Sequence, residues 1–154
     1  MNTKEYLGQM KNIDRRIKDK LDEAEKWRGI AISTSVNIGE VSVQTSKKPD
    51  KIGDAVALAL DYEEECRQLA ICLIDIKHKI TQQIDSMENV VYYNILKSHY
   101  IRGNKLEIVA DEIGYSLKQT NRLYKKALMN FEEIHGHLYL SIEKDLSLNV
   151  SMCL

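Results

Sequence analysis

Residues 116–126 read SLKQTNRLYKK, and no other short stretch concentrates so many side chains suited to ligand chemistry. Lys118, Arg122, Lys125 and Lys126 are the four basic residues between Ser116 and Phe131, and no carboxylate falls among them. Gln119 and Asn121 stand in the same run. Lysine and arginine neutralise phosphate oxygens. Arginine also reaches guanine edges in the major groove, and the amide side chains reach adenine. A serine opening a helix places backbone N–H groups toward an anion. The set predicts contact with double-stranded DNA, with arginine, asparagine and glutamine suited to base edges, and lysine, arginine and the Ser116 end of the helix suited to phosphates.

Other reactive side chains do not assemble into a centre. His135 and His137 lie two apart, a weak spacing for metal. Cys66, Cys72 and Cys153 have no metal-ligand spacing, and the odd count reads as reduced thiols. Asp61, Glu64 and Glu65 have no partnering cluster, and the acidic run around them reads as a solvated face. There is no glycine-rich phosphate loop. No enzyme activity, metal or cofactor is expected.

The chain has 154 residues, a formal net charge of -1 and 44% hydrophobic residues, which fits one domain, or a small domain plus an extension. A near-neutral total does not exclude nucleic-acid binding, which depends on a local patch. One proline and many Leu, Ile, Lys and Glu predict an all-α protein. No apolar run reaches membrane-spanning length and no signal peptide is visible, so a cytoplasmic protein with no membrane contact is expected.

The elements that must position the basic run can be placed by periodicity. Leu7, Met10, Ile17, Leu21 and Ala24 predict a helix over 3–28, with Thr3 as its cap. Residues 29–53 hold glycines, serines, threonines and the proline, and predict a long mobile loop with a short extended piece at 40–44. Tyr62, Cys66, Leu69, Leu73, Ile76, Ile80, Ile84 and Met87 step by three and four, predicting a long helix over 54–87 with coiled-coil character. It would pair with the first helix as an antiparallel hairpin. Ser86, with Asn89 three residues later, could cap a further helix carrying Val91, Ile95, Leu96 and Tyr100, ended by Gly103, with Asn104 as the next cap.

Leu106, Val109, Ala110 and Ile113 then make one face of a short helix. Gly114 suits a positive φ, and Ser116 caps the next helix, whose apolar face is Leu123, Ala127, Leu128 and Phe131. Small Ala110 suits a close helix crossing, and the pattern predicts a helix-turn-helix. In the tail, 134–154, Leu138, Leu140 and Ile142 alternate with polar residues and suggest a short strand or a frayed end.

The segments YYNILKSHYIRG, LEIVADEIGYS and TNRLYKKAL resemble region 4 of bacterial sigma-70-type factors. Thr120 stands where that pattern has Val or Ile. Over residues 3 to about 133 the chain is similar to short phage and prophage proteins of Gram-positive bacteria, of the ArpU type of late transcriptional regulator. The resemblance implies transcriptional control through promoter DNA or RNA polymerase, short of a complete sigma factor.

The expectation is therefore all-α: a long N-terminal antiparallel hairpin over 1–88, used for dimerisation or a partner, a sigma region 4-like helix-turn-helix over 89–133, and the tail. A homodimer would set two reading helices on one face of DNA. The alternatives are a protein-interaction module without enzyme activity and a phage packaging or structural DNA-binding protein.

Overall fold

The computed structural model describes residues 1–39 and 51–140. Among them all regular structure is helical, and no strand occurs. The order is α1 (Thr3–Gly8), α2 (Ile13–Gly39), α3 (Lys51–Asp85), α4 (Val90–Leu96), a π turn (Lys97–Ile101), α5 (Leu106–Ile113) and α6 (Leu117–Leu140). The chain divides into two compact units, residues 14–73 and residues 1–13 with 74–154.

The first helix is short. Asn2, not Thr3, caps it: the Asn2 side chain accepts from the Glu5 N–H at 2.9 Å, and the Glu5 carboxylate accepts from the Asn2 N–H at 3.0 Å. This capping box satisfies two N–H groups that the first turn leaves unpaired. The continuous helix expected over 3–28 is broken at Asn12, whose φ of 60° lies in the left-handed region, where asparagine is among the tolerated residues. A new helix begins at Ile13.

In the unit of residues 14–73, residues 23–28 of α2 meet residues 62–66 of α3. Arg28 reaches Glu63 at 3.3 Å, Cys66 Sγ lies 3.6 Å from Glu23, and Trp27 packs 4.9 Å from Tyr62 between ring centroids. Glu23 thus meets α3 at Cys66, and Trp27 and Arg28 meet it about one turn earlier, at Tyr62 and Glu63. Helix α2 continues to Gly39 and α3 begins at Lys51, so most of the loop expected over 29–53 is helix at both its ends. Ser33 and Ser35 hydroxyls donate to the carbonyls of Ile30 and Ile32, three residues back, which keeps these residues compatible with a helix. The extended piece expected at 40–44 lies outside the described residues.

In the first half of α3, Cys66 and Leu73 of the expected stripe are buried, together with Ala59 and Ala70 beside it, whereas Tyr62 is exposed and Glu63 is buried. The acidic run is also not wholly solvated. Glu63 turns inward, and its carboxylate accepts from Arg67 at 2.9 Å as well as from Arg28. From Ile80 onward the stripe is as expected, with Ile80, Ile84 and Met87 buried.

In the other unit, α4, α5 and α1 all pack on α6. Its core holds Leu7, Ile95, Leu96, Val109, Ala127, Phe131 and Tyr139. The strand suggested from residue 134 is not formed as far as Leu140. Instead α6 runs through Gly136 to that residue. Its last turns carry Phe131, His135 and Tyr139 at spacings of four, which bring one helical face onto α1 and onto residues 83–86, where α3 ends. Tyr139 stacks on Tyr6 at 4.3 Å, and Tyr6 donates to the Gln83 side chain at 2.8 Å. Residues 141–154 lie outside the described residues.

Candidate nucleic-acid interface

The connection from α4 to α5 is fixed by polar contacts. Asn89 caps α4, its side chain accepting from the N–H groups of Val91 and Tyr92. The helix then widens, and the Arg102 N–H bonds five residues back to the Lys97 carbonyl. Gly103 comes next, at φ 75°. Asn104 does not cap α5; the residue preceding that helix is Lys105, which makes no side-chain cap bond. Asn104 instead donates to the Ser98 hydroxyl at 3.0 Å and to Glu112 at 3.1 Å, while Ser98 donates to Glu112 at 2.5 Å. Glu112, unremarkable in the sequence, thus ties α5 to the π turn.

A second tie joins the π turn to α6. The hydroxyls of Tyr100 and Tyr124 meet at 2.7 Å, and His99 lies edge-on to both rings. The His99 Nδ1 lies 2.8 Å from the Asn104 carbonyl, which only accepts, so this nitrogen carries the proton. Burial and the Tyr124 partner push the Tyr100 hydroxyl far above the ordinary tyrosine range.

The turn between α5 and α6 takes three residues. Gly114 ends α5 at φ 72°, and the N–H groups of Gly114 and Tyr115 both bond to the Ala110 carbonyl. This left-handed cap satisfies carbonyls that α5 would otherwise leave open. Ser116 then opens α6: its hydroxyl oxygen accepts from the Gln119 N–H at 3.2 Å. The hydroxyl proton remains able to donate outward.

On α6 the two faces separate cleanly. Thr120, Tyr124, Ala127 and Phe131 are buried. Ser116, Lys118, Gln119, Asn121, Arg122, Lys125 and Lys126 are all exposed. At about 100° per residue, Lys118, Arg122 and Lys125 fall within roughly 60° of one another, opposite the buried stripe. Gln119 and Lys126 flank them on one side and Asn121 on the other. Five of the six predicted residues thus share one exposed strip on one side of α6, with Lys126 among them, and Ser116 stands apart at the start of the helix. The first carboxylate of α6 is Glu132, beyond that strip.

Thr120 is the discordant residue within the packing face. It is fully buried, and among the described residues its hydroxyl has no hydrogen-bond partner. A hydroxyl in this position leaves its polar atom unsatisfied where an apolar side chain would not.

Beside the turn, a groove of about 580 Å³ is bounded by Tyr93, Lys97, Arg102, Glu112 and Tyr115. Lys97 is engaged there, 2.8 Å from Asp85 and 2.7 Å from the Tyr93 hydroxyl. Arg102 is exposed and stands 4.0 Å from Glu112, so it is the more available cation at the rim.

The remaining reactive groups stay apart. His135 and His137 lie on a helix, so a spacing of two points them to different sides. His135 Nε2 is 3.1 Å from both the Gln83 carbonyl and the Ser86 hydroxyl. Cys66 and Cys72 are not in a disulfide, and Cys153 lies outside the described residues. Among the described residues no cluster of three metal-ligating side chains occurs, and no helix is long and apolar enough to cross a membrane. No protein-family model, curated protein or solved structure matches the chain.

Proposed function

We propose that α5, the Gly114 turn and α6 act as a helix-turn-helix that binds double-stranded DNA, and that the protein is a transcriptional regulator of the phage type. The observation that carries the reading is the exposed strip of α6, which is basic and amide-bearing, free of carboxylates, and directly opposite the packed face. A helix presented this way is shaped for the major groove. Gln119 and Arg122 would meet base edges. Lys118, Lys125 and the Ser116 end of α6 would meet phosphates, and Asn121 lies at the edge of the strip.

Two further features support the reading. The left-handed glycine turn and the serine cap hold α5 and α6 at a fixed angle, which a reading helix needs in order to keep register. The resemblance of residues 92–131 to sigma region 4 points the same way and adds contact with RNA polymerase as a second role. The hairpin of the 14–73 unit would then serve as a partner surface.

Titration of fluorescent duplexes selected from phage and host genomic DNA tests the proposal. Binding is expected at low salt and weakens steeply as salt rises, because condensed counterions are released on binding. No duplex binding at low salt would overturn it. Retention of host RNA polymerase after nuclease treatment, without duplex binding, would assign the basic strip to an acidic protein instead.

A further inference from the structure

We infer that Leu117 is a specificity-determining residue of α6, reading the 5-methyl group of a thymine in the duplex. The inference rests on the proposal that α6 enters the major groove, and it assigns a role to a side chain outside the basic and amide set. Leu117 lies in the first turn of α6, between Ser116 and Lys118, and is 42% exposed. Its side of the helix does not explain that exposure. Tyr124, seven residues on, lies within about 20° of it around the axis and is buried. The π turn covers Tyr124, through the Tyr100 hydroxyl and the edge of the His99 ring. Two turns back, Leu117 stands clear of much of that cover, and Ser116, Lys118 and Gln119 around it are exposed as well.

Helical side chains tilt toward the N-terminus, so Leu117 leans past the start of α6 rather than back over it. The N-terminal residues of a reading helix are the ones that meet base edges. Leu117 is also continuous with the polar surface. Leu117, Asn121 and Lys125 recur at intervals of four and adjoin along the helix. Lys118, Arg122 and Lys126 form the next row, and all six are exposed.

Of these six, only the side chain at the head of the first row can neither donate nor accept a hydrogen bond. Its chemistry selects one base. In the major groove guanine, adenine and cytosine show only donors and acceptors, whereas thymine adds a methyl group. A leucine against that methyl removes apolar surface from water. The same leucine against the cytosine amino group strips it of water and offers no bond in return. Met129 is the other exposed large apolar residue in line with Lys118, Arg122 and Lys125, at 63%. It lies about 18 Å beyond Leu117 along the axis, at the end away from the tip.

In the duplex selected for binding, each thymine is replaced in turn by uracil, which keeps every hydrogen-bonding group and lacks only the methyl. The unaltered full-length protein is expected to lose affinity about fourfold at one position, the effect of one buried methyl. Leu117→Ala should bind the thymine and uracil forms alike, about as weakly as the parent binds the uracil form. Its salt slope should be unchanged, because no charge is altered. Leu117→Gln keeps the length of the side chain but not its apolar character. It should abolish the difference in the same way, and it serves if the alanine variant unfolds. Duplex binding indifferent to uracil at every position overturns the inference while leaving α6 a DNA reader. So does a uracil effect that persists in both variants, or one lost in Met129→Ala instead. No duplex binding at low salt removes the DNA reading itself, and the inference with it.

Discussion

Thr3 and Tyr139, 136 positions apart in the chain, share a buried hydrogen bond of 2.8 Å. The Thr3 hydroxyl donates to the Glu132 carboxylate at 2.7 Å, so the Tyr139 hydroxyl is the donor to Thr3. Tyr6 stacks on the same tyrosine. The first helix therefore closes over the last turns of α6. Tyr139→Ala removes a fully buried ring and is expected to cost about 3–5 kcal/mol. Tyr139→Phe keeps the ring and loses one neutral hydrogen bond, about 1 kcal/mol. Denaturant unfolding monitored by circular dichroism checks both; equal costs for the two variants would mean that the ring contributes little.

Thr120→Val is expected to stabilise the protein. The side chain is fully buried and its hydroxyl unpaired, so exchanging it for a methyl of similar size relieves a desolvation cost of about 1–3 kcal/mol. The thermal midpoint should rise, with no loss of duplex affinity, because the residue faces away from the exposed strip.

Gly114→Ala is expected to destabilise by about 1–2 kcal/mol. An added Cβ would meet nothing within 4 Å, so the whole cost comes from the φ of 72°. Gly114→Asn should cost less, since asparagine tolerates the left-handed region better. An alanine variant as stable as the parent would show that the turn relaxes to another geometry.

Arg122→Ala should lower affinity by about 1–3 kcal/mol for the selected duplex and relax preference at one base position. Lys118→Ala and Lys125→Ala should instead weaken all duplexes alike and reduce the salt slope by about 1 each. Binding isotherms at several salt concentrations separate the two behaviours. If Arg122→Ala changes only the slope, the base-edge role moves to Gln119 or Asn121.

Stability should also depend on His135. Burial pulls its imidazole below the ordinary histidine range, more than the Gln83 carbonyl raises it. The unfolded chain then takes up a proton first as pH falls below about 6.5. Stability is full above that value, declines as pH drops from it toward the lower folded pKa, and levels off beneath. His135→Gln should flatten this part of the stability profile; an unchanged slope would assign it to another group.

The sequence shows most clearly the elements that local chemistry dictates. Gly114, Ser116 and the apolar positions 109, 110, 127 and 131 can be read directly, because a positive φ, a cap and a 3.6-residue period each leave a residue-type signature. The exposed strip is legible because the charges themselves mark it. Packing between distant elements leaves no such mark. Residues 134–140 alternate as a strand would, yet Tyr139 finds a pocket against Tyr6 and Thr3, and that long-range contact outweighs the local pattern. The first half of α3 departs from expectation more narrowly: Cys66 and Leu73 of the expected stripe are buried, but Tyr62 is exposed and Glu63 is buried instead, with its carboxylate paired to Arg28 and Arg67.

The π turn at Lys97–Ile101 has a different kind of consequence. Such a turn is an α-helix carrying one surplus residue, and everything ahead of it is rotated by about 100° relative to the chain beyond. Ser98 faces Glu112, and Tyr100 faces Tyr124, because of that offset. Deleting a single residue between 97 and 101 would restore a regular helix and put these two pairs out of phase. The α4–α5 corner is thus keyed by residue count as well as by residue identity, and one change in length there should undo both ties at once.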